Sequence, residues 1–188
     1  MKIISLRLIT QLILGITLLI PVVSFPDQSD ARLDALFTTL KTSENKAVSQ
    51  EAELNIWSIW FESGNEEIDS LMEEGGAAVQ SQQLAQAEEI YSRVVKLAPE
   101  FSEGWNRRAT VRYYQNDYRG SLQDIRQTLA LEPRHFGAVW GLGMILGWDR
   151  DYSGAITAFE RLLEINPHAR DAKPRIELLK QELSQSSV

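Results

Sequence analysis

Three groups of side chains in this sequence have the types and spacing to do chemistry. Asp149, Asp151 and Ser153 set oxygen donors at alternate positions, Gly154 follows them, and Glu160 stands where a calcium loop carries its bidentate carboxylate. Arg107, Arg108 and Arg112 bring three guanidinium groups close together, which suits an anion or a set of internal carboxylates. His135 and His168, the two histidines of the chain, are the side chains available for a metal or for proton transfer near neutrality. Other chemistries are excluded. The chain has no cysteine, so it builds no disulfide, thiolate metal site or thiol nucleophile. It contains no GxSxG, no HExxH and no phosphate loop.

What these groups can do depends on the elements that hold them, and those elements repeat. Pro99, Pro133 and Pro167 are each 34 residues apart and each follows an apolar helix end. Proline stops a helix there because it lacks an N–H and restricts the residue before it. Twelve residues upstream of each proline stands a small side chain, Ala87, Ser121 or Ala155, and four residues after each of these a larger one, Tyr91, Ile125 or Phe159. Gly75, Ala109 and Gly143 keep the same interval. Small side chains let two antiparallel helices approach, and the larger ones fill the space between neighbouring pairs. In this frame 149–153 is the turn between two helices and Gly154-Ala155 begins the second. A twelve-residue calcium loop would delay that helix and break its match with the other two units. The frame puts His135 and His168 just after the repeat prolines, on exposed turns, one unit apart and too far from each other to share a metal ion directly.

These columns resemble tetratricopeptide repeats. Repeat one is carried by Leu71, Gly75, Ala78, Ala87, Tyr91 and Pro99; repeat two by Trp105, Ala109, Ser121, Ile125 and Pro133. Repeat three is carried by Val139, Leu142, Gly143, Leu146, Ala155, Phe159 and Pro167. EGWNRRAT and LALEPRHFGA also look like segments of small exported bacterial repeat proteins. The resemblance implies an all-α, right-handed superhelix whose first helices line a concave groove. The groove stripe then comprises Met72, Gly76 and Val79, then Asn106, Arg107, Thr110, Tyr113 and Tyr114, then Trp140, Met144 and Trp148. Aromatic residues and arginine dominate binding energy at interfaces, so the stripe points to a protein or peptide partner. The lysine–asparagine–arginine clamp with which some members hold a C-terminal carboxylate is not reproduced, since only Asn106 and Arg107 remain of it. Arg108 and Arg112 replace a leucine and a tyrosine of the pattern. They face the partner helix and need carboxylates, with Asp124 first and Glu88 or Glu89 next; the alternative is an anion site shared with Arg107.

The rest of the chain frames the repeats. Residues 1–24 begin with Lys2 and Arg7, run apolar from Leu8 to Ile20, break at Pro21 and end in small residues, the layout of a secretory signal. An uncleaved anchor is the alternative, and both put the body outside the cytoplasm. Residues 25–65 form a helical hairpin, either a degenerate fourth repeat or a cap; 66–169 are the three repeats; 170–188 are a closing helix with Ile176, Leu179 and Leu183 inward, fraying from Ser184. Within the hairpin, Leu54, Ile56, Trp57, Ile59, Trp60 and Phe61 make a helix apolar nearly all round, to be buried in the fold or against another chain. The full chain carries a formal charge of −7, and −9 without Lys2 and Arg7, which argues against nucleic-acid binding. From Glu44 to Glu103 there are 13 acids and 3 bases. Against 10 acids and 12 bases from Gly104 onward, that polarity would align molecules head to tail; the base-free run of Glu62, Glu66, Glu67, Asp69, Glu73 and Glu74 reads as a solvated face, with steering of a basic partner as the alternative.

The expectation is a non-catalytic scaffold or adaptor, periplasmic or secreted, that needs no cofactor or metal and holds a protein or peptide in its groove. Cleavage of the signal would leave no integral membrane span. The alternatives are a homo-oligomer joined through Trp57 and Trp60, or a calcium-regulated module or enzyme using Asp149, Asp151 and Glu160.

Overall fold

The computed structural model describes residues 30–186, which form helices joined by short turns, with no strand among them. The expected export signal lies outside the described residues. A hairpin of α1 (Arg32–Thr42) and α2 (Lys46–Phe61) comes first. Three helix pairs follow: α3 (Glu66–Gln80) with α4 (Leu84–Leu97), α5 (Ser102–Tyr114) with α6 (Tyr118–Leu131), and α7 (Phe136–Trp148) with α8 (Tyr152–Ile165). The last helix, α9 (Ala172–Ser186), packs on α8 with Ile176 and Leu179 buried. It stays helical through Ser184, where fraying was expected.

The turn inside each pair is the same device three times. Gln82, Asn116 and Arg150 hold the left-handed conformation at φ of 57°, 65° and 62°. Their N–H groups, and those of the residues after them, donate back to carbonyls of the first helix: Gln82 to Val79 and Gln83 to Ala78, Asn116 to Tyr113 and Asp117 to Arg112, Arg150 to Gly147 and Asp151 to Leu146. This is the Schellman closure, which satisfies carbonyls that a helix end leaves without partners. The second helix of two pairs then starts on an aspartate cap, with Asp117 accepting from the Gly120 N–H and Asp151 from the Gly154 N–H, both at 2.9 Å.

Within a pair the helices meet where the sequence places its small residues. A Cβ on Gly75 would lie 2.6 Å from the Tyr91 ring, and one on Gly143 would lie 2.8 Å from the Phe159 ring, so neither position admits a side chain without a shift. In the middle pair Ala109 takes that place, and the buried Ser121 hydroxyl donates to the Ala109 carbonyl at 2.8 Å.

The interior divides at repeat two. Repeat one packs an apolar cluster that includes Leu71, Tyr91, Val94 and Phe101. Repeats two and three share Ala109, Ile125, Ala138 and Ile145. Between α4, α5 and α6 lies a charged seam: Arg108 makes a two-pronged contact with Asp124 at 2.9 and 2.8 Å, and Arg112 reaches both Asp124 and Glu88 at 2.9 Å. The internal carboxylate partners expected for the two arginines are the ones present. Glu89 is exposed and takes no part.

The hairpin bears on three expectations. It does not stack as a fourth repeat ahead of repeat one. Instead Leu33, Phe37, Leu40, Ile56 and Trp60 join Phe136, Val139, Phe159, Leu162 and Ile176 in one cluster, so the N-terminal helices pack on repeat three and α9. It meets the turns on the edge of the stack. Arg134 pairs with Asp34 at 2.6 Å and lies over the Phe37 ring, Asn166 donates to Glu53 at 3.2 Å, and the His168 ring contacts the Ser43 carbonyl at 3.1 Å. Second, Trp57 and Trp60 are used within the chain. Trp60 is fully buried, stacked on His135 with ring centroids 4.2 Å apart, and Trp57 meets Phe136 edge-on at 5.0 Å. Trp60 is therefore closed to another chain, while Trp57 stays half-buried at the edge of a cleft with Phe136 and Trp140. Third, His135 is not on an exposed turn. It is 0% exposed, while His168 is exposed as expected. The repeat explains His135: 34 residues earlier the same position is the buried Phe101.

Candidate functional site

The first helices of the three pairs present equivalent positions to one face: Met72, Asn106 and Trp140; Gly76, Thr110 and Met144; Gln80, Tyr114 and Trp148. Between α5 and α7 this face opens into a cleft of about 300 Å³. Asn106, Thr110, Tyr113 and Tyr114 form one wall, Trp140, Gly141 and Met144 the other, and Ile125 reaches it from behind. A second cleft of about 270 Å³ continues past Tyr113 and Met144 to Trp148, Arg175 and Leu178 of the closing helix. A third, of about 540 Å³, lies against α3 and is lined by Phe61, Glu62, Asp69, Met72, Glu73 and Gly76.

The walls are held by contacts behind them. Trp140 rests edge-on against Phe159 at 5.0 Å, Tyr113 lies 5.5 Å from Tyr118, and Tyr118 lies 4.4 Å from the exposed Trp148. The Thr110 hydroxyl is spent on the Asn106 carbonyl at 2.9 Å. The Asn106 side-chain amide donates to the buried Glu103 at 2.9 Å. Aromatic faces and one thioether suit a large apolar side chain.

Three predicted groove residues stand apart from this cleft. Met72 is buried at 7% exposure in the repeat-one cluster and shows only an edge to the acidic cleft. Val79 packs on that same cluster and lines none of the three clefts. Arg107 is tied by its Nε to Glu103 at 2.5 Å, with its guanidinium 4.4 Å above the Phe61 ring. Asn106, Thr110, Tyr113, Trp140 and Met144 are brought together, and Trp148 joins through the second cleft.

Sequence reasoning missed Glu103, the node beneath the groove. It is fully buried, accepts from Asn106 and Arg107, and faces His135 Nε2 at 3.0 Å. His135 Nδ1 accepts the Ala138 N–H at 3.2 Å as the cap of α7, so Nε2 carries the proton directed at Glu103. Burial acts to raise the Glu103 carboxyl, but the Arg107 charge and the His135 hydrogen bond outweigh it and hold the group below the usual carboxylate range. The signal for it was available: its equivalents, Asp69 and Gly137, sit on the groove face, and Gly137 leaves room for Trp57 to close over the start of α7. The inner wall is therefore covered by the hairpin at its first turn and open beyond it.

The remaining constellations are structural in this geometry. Asp151 caps α8, Asp149 and Glu160 are exposed, and Arg150 between the two aspartates takes the left-handed turn position. Among the described residues no three acidic or histidine side chains gather as a metal site. No helix among them is long and apolar enough to cross a membrane.

With period, turns, inner face and cleft in view, the class is defined: the chain belongs to the tetratricopeptide repeat family. The family model for the tetratricopeptide repeat matches residues 106–170. The chain is 33% identical over 153 residues to a TPR repeat-containing protein of Rhizobium etli, covering 81% of this chain and 75% of that one. Among solved structures it is similar to the Sgt2 TPR domain from Aspergillus fumigatus, with a TM-score of 0.61, 22% identity, and coverage of 65% of this chain and 83% of that one. It is also similar to the first TPR of Spaghetti (RPAP3) bound to an HSP90 peptide, with a TM-score of 0.60, 19% identity, and coverage of 62% and 93%. These likenesses show the TPR superhelical fold. Domains of this family generally mediate protein–protein interaction and are generally not catalysts.

Proposed function

We propose that this protein is a non-catalytic adaptor that holds a segment of another polypeptide along its first-helix face, in the bacterial envelope. The observation that carries the reading is the open aromatic cleft between α5 and α7, where Tyr113, Tyr114, Trp140 and Met144 converge and no segment among the described residues fills it. Such a surface loses favourable apolar burial while it stays empty and regains it when a partner side chain enters. The solved neighbour carrying an HSP90 peptide supports a peptide as the occupant. The envelope location rests on Lys2, Arg7 and the apolar run Leu8–Ile20.

Photo-crosslinking from Tyr114, which is exposed, in intact cells tests both parts. We expect a discrete crosslinked protein in the envelope fraction. Trp140→Ala and Tyr113→Ala reduce its capture at least tenfold with helical content intact. Full capture by both variants overturns the groove assignment, and a cytoplasmic chain overturns the location.

A further inference from the structure

The groove changes character along its length. At α5 and α7 it is aromatic and neutral, whereas the cleft against α3 has a floor of Met72 and Gly76 and a rim of Glu62, Asp69 and Glu73. The floor is open: a Cβ on Gly76 would meet nothing within 4 Å. Asp69 is engaged by the Ser63 N–H and hydroxyl at 2.9 and 2.6 Å. Glu62 and Glu73 are exposed and form no ion pair among the described residues; Arg32, the base whose charge acts with Glu62, is itself forked onto Asp30. No lysine or arginine lines the α5–α7 cleft or the α3 cleft; Arg175 stands at the opposite end of the groove, in the cleft beside the closing helix. Arg107, which the sequence placed in the groove, is neutralised by Glu103 and covered by Phe61. A peptide that presents a carboxylate at the α3 end therefore finds no cation there and meets two free carboxylates. A peptide that presents a lysine or arginine there gains attraction from both, strengthened by a chain charge of −7.

We infer that the occupant of the groove is a polypeptide segment with a large apolar or aromatic side chain seated between α5 and α7 and a basic side chain directed to Glu62 and Glu73. This rests on the groove reading above and adds the chemistry of the ligand. It also separates this chain from the neighbour in complex with the HSP90 peptide SRMEEVD, three of whose last four residues are acidic.

The test is fluorescence anisotropy on the full-length chain with three labelled probes: a short peptide carrying two lysines and a tryptophan, the same peptide with glutamates for the lysines, and SRMEEVD. The lysine–tryptophan probe should bind, and the two acidic probes should bind at least tenfold more weakly. The Glu62→Gln, Glu73→Gln double variant, altered only at exposed positions, should weaken the basic probe about fivefold and flatten its salt dependence. Trp140→Ala should abolish its binding; Tyr114→Ala, at an exposed site, should weaken it in a chain that melts as the wild type does. If an acidic probe binds as tightly as the basic one and both are lost in Trp140→Ala, the charge inference falls and the groove reading stands. If the basic probe binds undiminished to Trp140→Ala and Tyr114→Ala, both fall, because attraction then acts away from the aromatic cleft. If no probe binds, including the case in which residues 1–29 of the chain occupy the groove, the inference falls and the crosslinking experiment alone judges the groove.

Discussion

Glu103 shows how one residue couples groove and scaffold. Its carboxylate is buried with the Arg107 guanidinium, the Asn106 amide and the His135 ring, and its acidity is raised by that company. A carboxyl held below its unfolded value contributes stability that is present above about pH 4.5 and is lost as pH falls through the folded value. Thermal melting between pH 3 and pH 7 should show this loss, and Glu103→Gln should reduce the slope in that window; an unchanged slope would contradict the cluster. Asp124 is a second buried carboxylate, 2% exposed and shared by Arg108 and Arg112. Removing it takes the carboxylate from Arg108, which keeps only the Ser92 hydroxyl, and leaves Arg112 with Glu88 alone, so Asp124→Ala should cost about 3–5 kcal/mol in denaturant unfolding. A cost under about 1 kcal/mol would mean that water already reaches the seam.

The elements are decided by their ends more than by their middles. α7 reads FGAVWGLGMILGW, apolar on all sides and rich in glycine, yet it is a regular helix. His135 caps its start, the Schellman turn at Arg150 closes its end, and neighbours cover most of its surface. Arg150 and Gln82 hold a left-handed conformation that disfavours a side chain with a Cβ, and both are exposed. Arg150→Gly should therefore stabilise the chain by about 0.5–1 kcal/mol, read as a rise in the denaturant midpoint at constant slope. A loss of stability would show that the arginine makes contacts which outweigh its backbone strain.

At the scale of the molecule the hairpin ties the first helices to the last repeat. Trp60, Phe37 and Leu40 share one cluster with Phe159 and Ile176, so α1 and α2 should open together with α7, α8 and α9. Repeat one has its own cluster and meets repeat two across the charged seam, which permits it to open separately. Native-state hydrogen exchange checks this: amides of α2 and α8 should share one opening free energy, and α1–α2 amides that exchange as freely as a frayed terminus would refute it. Trp60→Ala empties the centre of the shared cluster and should cost about 3–5 kcal/mol. It also removes an indole N–H that has no hydrogen-bond partner among the described residues.

The 34-residue period determined from sequence alone that helices pair, where they turn, and which small residues lie between them. Each of these follows from local rules: proline ends a helix, small side chains admit a neighbour, and equivalent positions meet equivalent surroundings. The aromatic cleft was legible for the same reason, since Asn106, Thr110, Tyr113, Trp140 and Met144 keep the register of their helices. What lay beyond the period was decided only by tertiary structure. Residues 31–61 have no counterpart in the repeat, so nothing local indicated that their apolar face would cross to repeat three and bury Trp60 on His135. Arg107 keeps its helix register too, but its charge is cancelled by Glu103, four residues before it, and its face is covered by Phe61 from the hairpin. Periodicity fixes where a side chain starts; burial and pairing with residues distant in sequence decide whether it remains free to bind.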